Sequence, residues 1–355
     1  MRHAIALGAR GLGQVWPNPA VGCVIVRDRR ILARGWTQPG GRPHAEAMAL
    51  AQCDARGATA YVSLEPCAHQ GRAGPCAAAV ITAGVARVVT ALTDPDPRVA
   101  GRGHAILREA GVEVVEGIAS TEARRVHEGF LHRVLNGRPM VTLKLGLTLD
   151  GKIATASGES RWITGPDARR AVHALRARHD AVLVGAGTLR ADDPDLQVRD
   201  MGVVRQPVRV VALPRLDIAT DARLFAGLPE APLWLVHAAS VTPDAALAAR
   251  GVALVPCPSG PEGLDPQAML AALGARGLTR VLCEGGGQLA ASLLRAELVD
   301  RIVVFQAGAV IGAEGRAGIG GLGLDALAEA PRFVLEQVQP VGADVMQVWG
   351  RRELV

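Results

Sequence analysis

The chain has 355 residues and a mass of 36.9 kDa, a length that predicts about two domains. Hydrophobic residues make up 49% and charged residues 21%, which excludes a mostly disordered protein. The sequence has no apolar run of about 18 residues and no signal-like start, so we expect a cytoplasmic protein with no membrane partner. Because the net charge is only +5 and both signs are scattered, we expect a small anionic substrate and no nucleic-acid partner.

The first half of the chain predicts alternating strands and helices. Two β-rich runs on either side of the charged turn at residues 27–30 predict a hairpin. Runs of helix formers, some ending at a glycine, predict the helices. The predicted strands are 21–26, 31–36, 60–64, 85–92 and 112–115, and the predicted helices are 44–53, 76–83, 102–110 and 121–135. This pattern indicates a layered α/β domain that ends at the boundary signal Asn136-Gly137-Arg138-Pro139.

The second half begins with a predicted strand at 140–147. Thr164-Gly165-Pro166 marks the start of a helix that extends to about residue 178. A strand at 280–283 runs into a glycine-rich turn, and a helix follows to about residue 296. The other predicted strands are 181–184, 208–213, 233–237, 252–255, 301–305 and 345–349.

Three side chains with metal-binding chemistry follow one another in the first half. His44 lies in Pro-His-Ala-Glu, Cys67 in Glu-Pro-Cys and Cys76 in Pro-Cys. One imidazole and two thiolates supply three ligands of a tetrahedral Zn²⁺ and leave the fourth position open for water, as in a catalytic site. Zn²⁺ lowers the pKa of that water to about 7. Glu46, two residues from a ligand, is the candidate proton shuttle, as in zinc nucleobase deaminases.

Two other interpretations of this pattern remain open. One is a closed structural zinc site with His69 as the fourth ligand, and the other is no metal at all. An isolated His-x-Glu is common, whereas His-x-Glu followed by a strand and two Pro-Cys pairs is much more specific. Eight residues separate Cys67 from Cys76, which departs from the usual Pro-Cys-x-x-Cys spacing.

Four segments of the first half carry a family resemblance: PNPAVGCVIV at 17–26, PHAE at 43–46, SLEPCAHQGRAGPC at 63–76 and DPDPRVAGRG at 94–103. They closely resemble the deaminase half of the RibD family of bifunctional riboflavin-biosynthesis enzymes. The resemblance implies a cytidine-deaminase-like three-layer domain at residues 1–138, which deaminates a phosphoribosylated diaminopyrimidine. It implies that His44, Cys67 and Cys76 bind zinc, that Glu46 moves protons, that Asn18 contacts the pyrimidine and that Arg72 contacts the phosphate or ribose. Thr37, Ala73, Gly74 and Asp96 depart from the family pattern.

Two features of the second half point to a site before any resemblance is considered. The glycines at 285–287 lie between a strand and a helix, where exposed N–H groups can hold a cofactor phosphate. They do not form the dinucleotide fingerprint of a Rossmann domain. The chain has 39 basic residues but only two lysines, Lys144 and Lys152. Because lysine and arginine differ in shape and hydration, this usage indicates a site role for at least one of them.

The segments LKLGLTLDGKIATASGESRWITG at 143–165, GAGTLRADDPDLQVR at 185–199 and CEGGGQLAASLL at 283–294 resemble the reductase half of the same family. The resemblance implies a dihydrofolate-reductase-like domain at residues 139–355 that uses NADPH. Leu213 and Pro214 stand where the family commonly has Asp-Ser. The residues implied to border NADPH are Gly146, Trp162, Thr188, Asp192, Gly286, Gly287, Gln288 and Leu289, and those implied to line the substrate are Ser160, Arg176, Leu196, Arg199 and Glu284. We expect a homo-oligomer.

Three other functions compete with this interpretation. A deaminase acting on tRNA or free nucleosides predicts closer cysteines and, for tRNA, a basic stripe. A non-catalytic nucleic-acid binder predicts a metal with four protein ligands. A deaminase with an inactive second half predicts no NADPH binding by that half.

Overall fold

The structure, a computed structural model, describes residues 1–69, 74–260 and 263–351. The chain divides into two compact units, Met1–Arg138 and Pro139–Val355. Each unit is built on its own β-sheet with helices, so the predicted α/β class is confirmed. Within the described part of the chain, no helix combines the length and the hydrophobicity needed to span a bilayer.

The described residues of the first unit form five strands and five α-helices. The strands are β1 Gly22–Arg27, β2 Arg30–Trp36, β3 Thr59–Val62, β4 Arg87–Thr90 and β5 Glu113–Val115, and the helices are α1 Arg2–Gly8, α2 Ala45–Leu50, α3 Cys76–Thr82, α4 Arg102–Glu109 and α5 Ser120–Asn136. Their order in the sheet is β2-β1-β3-β4-β5. The pairs β1–β2 and β1–β3 are antiparallel, whereas β3–β4 and β4–β5 are parallel.

Helices cover both faces of this sheet because its strands alternate two apolar faces. Val24 and its partner Tyr61 face Ala4 and Leu7 of α1. The adjacent pair Cys23 and Val62 belongs to the main core with residues of α2 and α3. The result is a three-layer unit. Helices α2 and α3 begin at one end of the sheet, and their first residues lie beside the loops at that end.

The second unit contains the larger sheet. Its strands are β6 Met140–Leu147, β7 Lys152–Ala154, β8 Ala181–Gly185, β9 Val208–Ala212, β10 Leu233–Ala238, β11 Ala253–Cys257, β12 Ser259–Gly260, β13 Gly263–Leu264, β14 Arg280–Cys283, β15 Arg301–Gln306, β16 Arg316–Ala317, β17 Phe333–Val341 and β18 Asp344–Arg351. Its α-helices are α6 Pro166–Ala177, α7 Ala186–Asp192, α8 Ala245–Ala249, α9 Pro266–Ala275 and α10 Gly287–Arg295. Short 3-10 turns lie at Arg223–Phe225 and Leu327–Glu329 in this unit, and at Ala9–Gly11 and Pro39–Gly41 in the first unit.

The main sheet of the second unit has the order β11-β10-β9-β8-β14-β6-β15-β18-β17. Neighbouring strands are parallel from β11 to β15, and β18 and β17 add antiparallel pairs. Every residue of β9 and β14 is buried, as is usual for parallel strands covered on both faces. The loops after β6, β8 and β14 therefore meet at one edge of the sheet, where parallel α/β sheets place ligand sites.

Several elements of the second unit had no strong sequence signal. Helix α7 lies inside the segment at 185–199, for which the sequence predicted no helix. Strand β17 was also missed, because most of its residues are exposed and it does not show a clear buried face.

In the first unit, the predicted helix at 44–53 is shorter in the structure, since α2 begins after His44 and ends at Leu50.

His179 is a buried histidine that the fold keeps neutral. Its Nδ1 lies 2.7 Å from the carbonyl oxygen of Leu175, and its Nε2 lies 3.0 Å from the hydroxyl of Thr142. Burial, and then the charge of Arg280, lower the pKa of His179 to about 3. Between about pH 6.5 and 3, His179 is therefore protonated in the unfolded chain but neutral in the folded unit.

We therefore expect the second unit to lose stability as the pH falls through that window, by up to about 1.4 kcal/mol for each pH unit from this one group. His179→Gln should flatten the slope, as measured by urea unfolding at pH 7.5 and pH 5. The exposed His3→Gln is the control and should keep the wild-type slope. An unchanged slope in His179→Gln would contradict the assignment.

Candidate active sites

His44, Cys67 and Cys76 converge in the first unit. Their ligand atoms all lie within 4.8 Å of one another. The Nδ1 atom of His44 is 3.3 Å from Sγ of Cys76 and 3.7 Å from Sγ of Cys67. Tetrahedral Zn–N and Zn–S bonds of about 2.0 and 2.3 Å place such atoms about 3.5 Å apart, so the three side chains fit one zinc ion.

Local backbone structure explains this convergence. His44 is the residue before α2, and Cys76 is the first residue of α3. Cys67 lies in the loop after β3, and its Sγ accepts the backbone N–H of Cys76 at 3.3 Å. Hydrogen bonds from Cys76 and then from His44 lower the pKa of the Cys67 thiol to about 4. The same contact raises the pKa of the Cys76 thiol, so one sulfur of the pair is favoured as a thiolate, the form that binds metal.

Glu46 lies next to this group, where its carboxyl interacts with Cys76. It lies in the first turn of α2 and is only 3% exposed. Burial, the largest cause, raises the pKa of Glu46 to about 7. A carboxyl group with this pKa can both take up and release a proton near neutral pH.

His69 does not join the metal-binding group. Among the described histidine, cysteine, aspartate and glutamate side chains, the group that converges contains three members and not His69. Arg72, Ala73 and the rest of residues 70–73 lie outside the described residues. Asn18 lies against Gly41, where a Cβ atom would be 1.9 Å from its Nδ2. Asn18 therefore lies beside the loop that leads to His44.

Thr37, one of the departures from the family pattern, has a backbone role. It is 2% exposed, and its hydroxyl accepts the N–H of Val21 at 3.1 Å. Its own N–H donates to the carbonyl of Val21 at 2.9 Å. The residue therefore closes the end of the β1–β2 hairpin.

A cluster of charged side chains lies at the edge of the second sheet. Arg176 donates from Nε and Nη2 to the two carboxylate oxygens of Glu284, at 2.6 and 3.0 Å. A third N–H of Arg176 reaches the carbonyl of Gln197 at 3.0 Å. Burial lowers the pKa of Lys144, which also feels the charges of Glu284, Arg176 and Asp192. Four charged groups from β6, α6, α7 and the turn after β14 are thus gathered in one place.

The glycine-rich turn lies beside this cluster. The backbone N–H of Gly286 donates to the hydroxyl of Thr188 at 2.9 Å. Gly287 begins α10, and a Cβ atom there would lie 3.1 Å from both the Ala317 oxygen and the Gly320 nitrogen. A side chain at this position would therefore press against the 317–320 segment. Gln288 is exposed and Leu289 is half-buried on the same turn.

The other predicted reductase residues are spread over this end of the sheet. Trp162 is 69% exposed and lines a cleft of about 430 Å³ together with Arg169. Arg161 donates to the carbonyl of Asp192 at 2.9 Å, which connects the Trp162 segment to α7. Ser160 is half-buried just before this pair, and Gly146 pairs with Phe305 in the sheet.

Leu196 and Arg199 lie on the segment after α7. Leu196 is 2% exposed, and its side chain belongs to the core that packs on β8 and β9. Only its backbone could therefore reach a substrate. The N–H of Arg199 donates to Nδ1 of His173 at 3.2 Å, and its guanidinium lies 3.4 Å from Asp195. The Arg199 side chain is 59% exposed and is therefore accessible to an anion.

Sequence reasoning left two residues without a role. Lys144 was noticed as a rare lysine, and the structure places it in the charged cluster. Glu65 was quoted only as part of a motif, yet its carboxylate is buried and accepts four backbone N–H groups.

Comparison with known proteins agrees with both units. Residues 1–92 match the model of the cytidine and deoxycytidylate deaminase zinc-binding region, and residues 139–347 match that of the RibD C-terminal domain. The riboflavin biosynthesis protein RibD of Escherichia coli strain K12 is 41% identical over 359 aligned positions, which cover 97% of this chain and 96% of that protein.

Solved structures resemble the chain over almost its full length. A structure of Acinetobacter baumannii RibD is similar with a TM-score of 0.90 and 37% identity, covering 99% of this chain and 98% of that one. The diaminohydroxyphosphoribosylaminopyrimidine deaminase/5-amino-6-(5-phosphoribosylamino)uracil reductase of Thermotoga maritima has a TM-score of 0.86 and 34% identity, covering 99% and 97%.

These matches confirm the predicted fold, a cytidine-deaminase-like domain followed by a dihydrofolate-reductase-like domain. They also confirm the resemblance that the sequence motifs carry. The chain belongs to the RibD family and is a bifunctional riboflavin-biosynthesis enzyme with a deaminase domain and a reductase domain.

Proposed function

We propose that the first unit deaminates 2,5-diamino-6-(5-phosphoribosylamino)pyrimidin-4(3H)-one and that the second unit reduces the ribosyl group of the product to ribityl phosphate with NADPH. The observation that carries this proposal is the convergence of His44, Cys67 and Cys76 beside the buried Glu46. The name of the Thermotoga maritima protein supports both steps. The two reactions act on one phosphorylated compound in sequence.

The metal of the first unit is zinc in this proposal. Nδ1 of His44 and the Sγ atoms of Cys67 and Cys76 would hold it, the three protein ligands that a catalytic zinc site uses. When bound, zinc acidifies water so that a nucleophile is available at neutral pH. The hydrogen bond from the Cys76 N–H orients Cys67 for this task.

Glu46 moves the protons of the deamination. Its carboxylate oxygen accepts a proton from the attacking water as the new C–O bond forms. The carboxyl gives this proton to the ring nitrogen as the C=N π bond opens. It then carries the remaining hydroxyl proton to the amino nitrogen, so that the C–N bond breaks, ammonia leaves and the carbon becomes a carbonyl. Its raised pKa suits both directions of transfer. Asn18 binds the pyrimidine, and Arg72 contacts the phosphate or ribose.

The second unit positions NADPH and the ribosyl substrate, since the cofactor itself supplies the hydride. Gly146, Trp162, Thr188, Asp192 and the turn at 286–289 border the cofactor in this proposal. Ser160, Arg176, Leu196, Arg199 and Glu284 line the substrate. Arg176 already holds Glu284 and Gln197 through three N–H groups, so it fixes the shape of the site. The exposed guanidinium of Arg199 is suited to the phosphate.

Glu46→Gln tests the proton shuttle. The variant should bind zinc normally but release ammonia about 100-fold to 10,000-fold more slowly, because an amide cannot exchange the proton. Ammonia release from the diaminopyrimidine is the measurement. NADPH oxidation with the deaminated compound, catalysed by the same chain, should stay at the wild-type rate. Ammonia release at the wild-type rate would refute the mechanism.

Cys67→Ser tests the metal site, with Cys53→Ser as its matched control. Cys53 is a free cysteine that is not part of the converging group. The first variant should lose zinc, measured by metal analysis, and deaminase activity with it, because a serine hydroxyl is a poor zinc ligand. Cys53→Ser should keep both. Equal zinc content in the two variants would exclude Cys67 as a ligand.

Thr188→Ala tests the cofactor site. Loss of the hydroxyl leaves the N–H of Gly286 without its acceptor, at a cost of about 1 kcal/mol. We expect the Kd for NADPH to rise about fivefold in a fluorescence titration. Thr188→Ser keeps the hydroxyl and should restore wild-type affinity. If wild-type protein binds no NADPH, the second unit is inactive and this part of the proposal fails.

A further inference from the structure

Glu65 is a buried carboxylate of the first unit that accepts four hydrogen bonds and that the proposed chemistry does not use. It is 3% exposed and lies two residues before Cys67. Each of its oxygens accepts two backbone N–H groups from one distant stretch of chain. Oε2 accepts from Asp94 at 3.1 Å and Gly101 at 2.9 Å, and Oε1 accepts from Gly103 at 2.8 Å and His104 at 3.3 Å.

The same two stretches of chain are in direct backbone contact. A Cβ atom at Gly103 would lie 2.0 Å from the carbonyl oxygen of Pro66, so only glycine fits there. Pro66 separates Glu65 from the ligand Cys67. The start of α4 is therefore packed against the backbone of the metal-binding loop with no side chain between them.

The other end of this stretch also faces the metal-binding loop. Hydrogen bonds from Arg98 lower the pKa of the Asp96 carboxyl, and His69, two residues after Cys67, also lowers it. The backbone N–H of Asp94 donates to the Glu65 carboxylate, and the Asp94 carboxylate accepts the N–H of Asp96 at 2.9 Å. Residues 94–104 thus border the loop that carries Cys67 at both of their ends.

We propose that Glu65 is a positioning residue of the deaminase, which holds residues 94–104 against the Cys67 loop and so fixes one wall of the substrate site. The inference rests on the proposed deaminase function. A carboxylate is needed because both oxygens must accept two N–H groups, and hydrogen bonds to a charged acceptor are about twice as strong as neutral ones. A glutamine would turn its NH₂ group toward two of these donors.

Glu65→Gln is the test variant, and Glu113→Gln is the matched control. Glu113 is on β5, and its side chain, 64% exposed, pairs with Arg87. In Glu65→Gln we expect amide hydrogen exchange at residues 94–104 to be at least about tenfold faster. Zinc content should remain at the wild-type value. The KM for the diaminopyrimidine should rise about tenfold, with kcat within about threefold. The control should match wild-type protein in all four measurements.

Three results would overturn the inference. They are unchanged exchange at residues 94–104, an unchanged KM, or loss of zinc from Glu65→Gln, which would make the residue a support of the metal ligand alone. If Glu65→Gln does not fold, amide hydrogen exchange in the wild-type protein becomes the test. The amides of Asp94, Gly101, Gly103 and His104 must then exchange at least about 100-fold more slowly than in an unfolded chain. Absence of ammonia release by wild-type enzyme would instead refute the deaminase function and leave the exchange result standing.

Discussion

The deaminase unit depends on one convergence, in which an imidazole and two thiols from three separate segments come within 4.8 Å of one another. One imidazole and two sulfurs at this spacing are the donor set that a zinc ion prefers. The sheet supplies the positions. β3 delivers the Cys67 loop, and the first residue of α3 is Cys76 itself. Glu46, the proposed proton shuttle, lies in the first turn of α2, the helix that begins directly after the candidate ligand His44.

The reductase unit uses a different constraint, the common edge of parallel strands. Lys144, Glu284 and Thr188 come from segments far apart in sequence, yet all lie next to the ends of neighbouring strands. The bidentate contact between Arg176 and Glu284 connects α6 to the glycine-rich turn. Local order in this site therefore comes from side-chain contacts across the edge rather than from any one loop.

Residue type and spacing predicted the parts of the sites whose chemistry is specific. His44, Cys67 and Cys76 could be named as candidate ligands because few other combinations serve one metal, and the structure brings these three together. The role of Glu46 stays a prediction. Glu65 could not be named, since its partners are backbone N–H groups about 30 to 40 residues away, which carry no sequence signal. Leu196 shows the same limit, because its motif did not indicate that its side chain turns into the core. Strand β17 was missed because its exposed residues carry no burial pattern.

The strand order of the second unit has a consequence for synthesis on the ribosome. Met140 of β6 pairs with Arg280 of β14, which is translated 140 residues later. At about 5–20 residues per second, β6 emerges on the order of ten seconds before this partner exists. The first unit needs only residues up to β5 to complete its sheet, so it can fold while β6 is still unpaired. The apolar β6 is then the segment of the nascent chain that most needs protection by a chaperone.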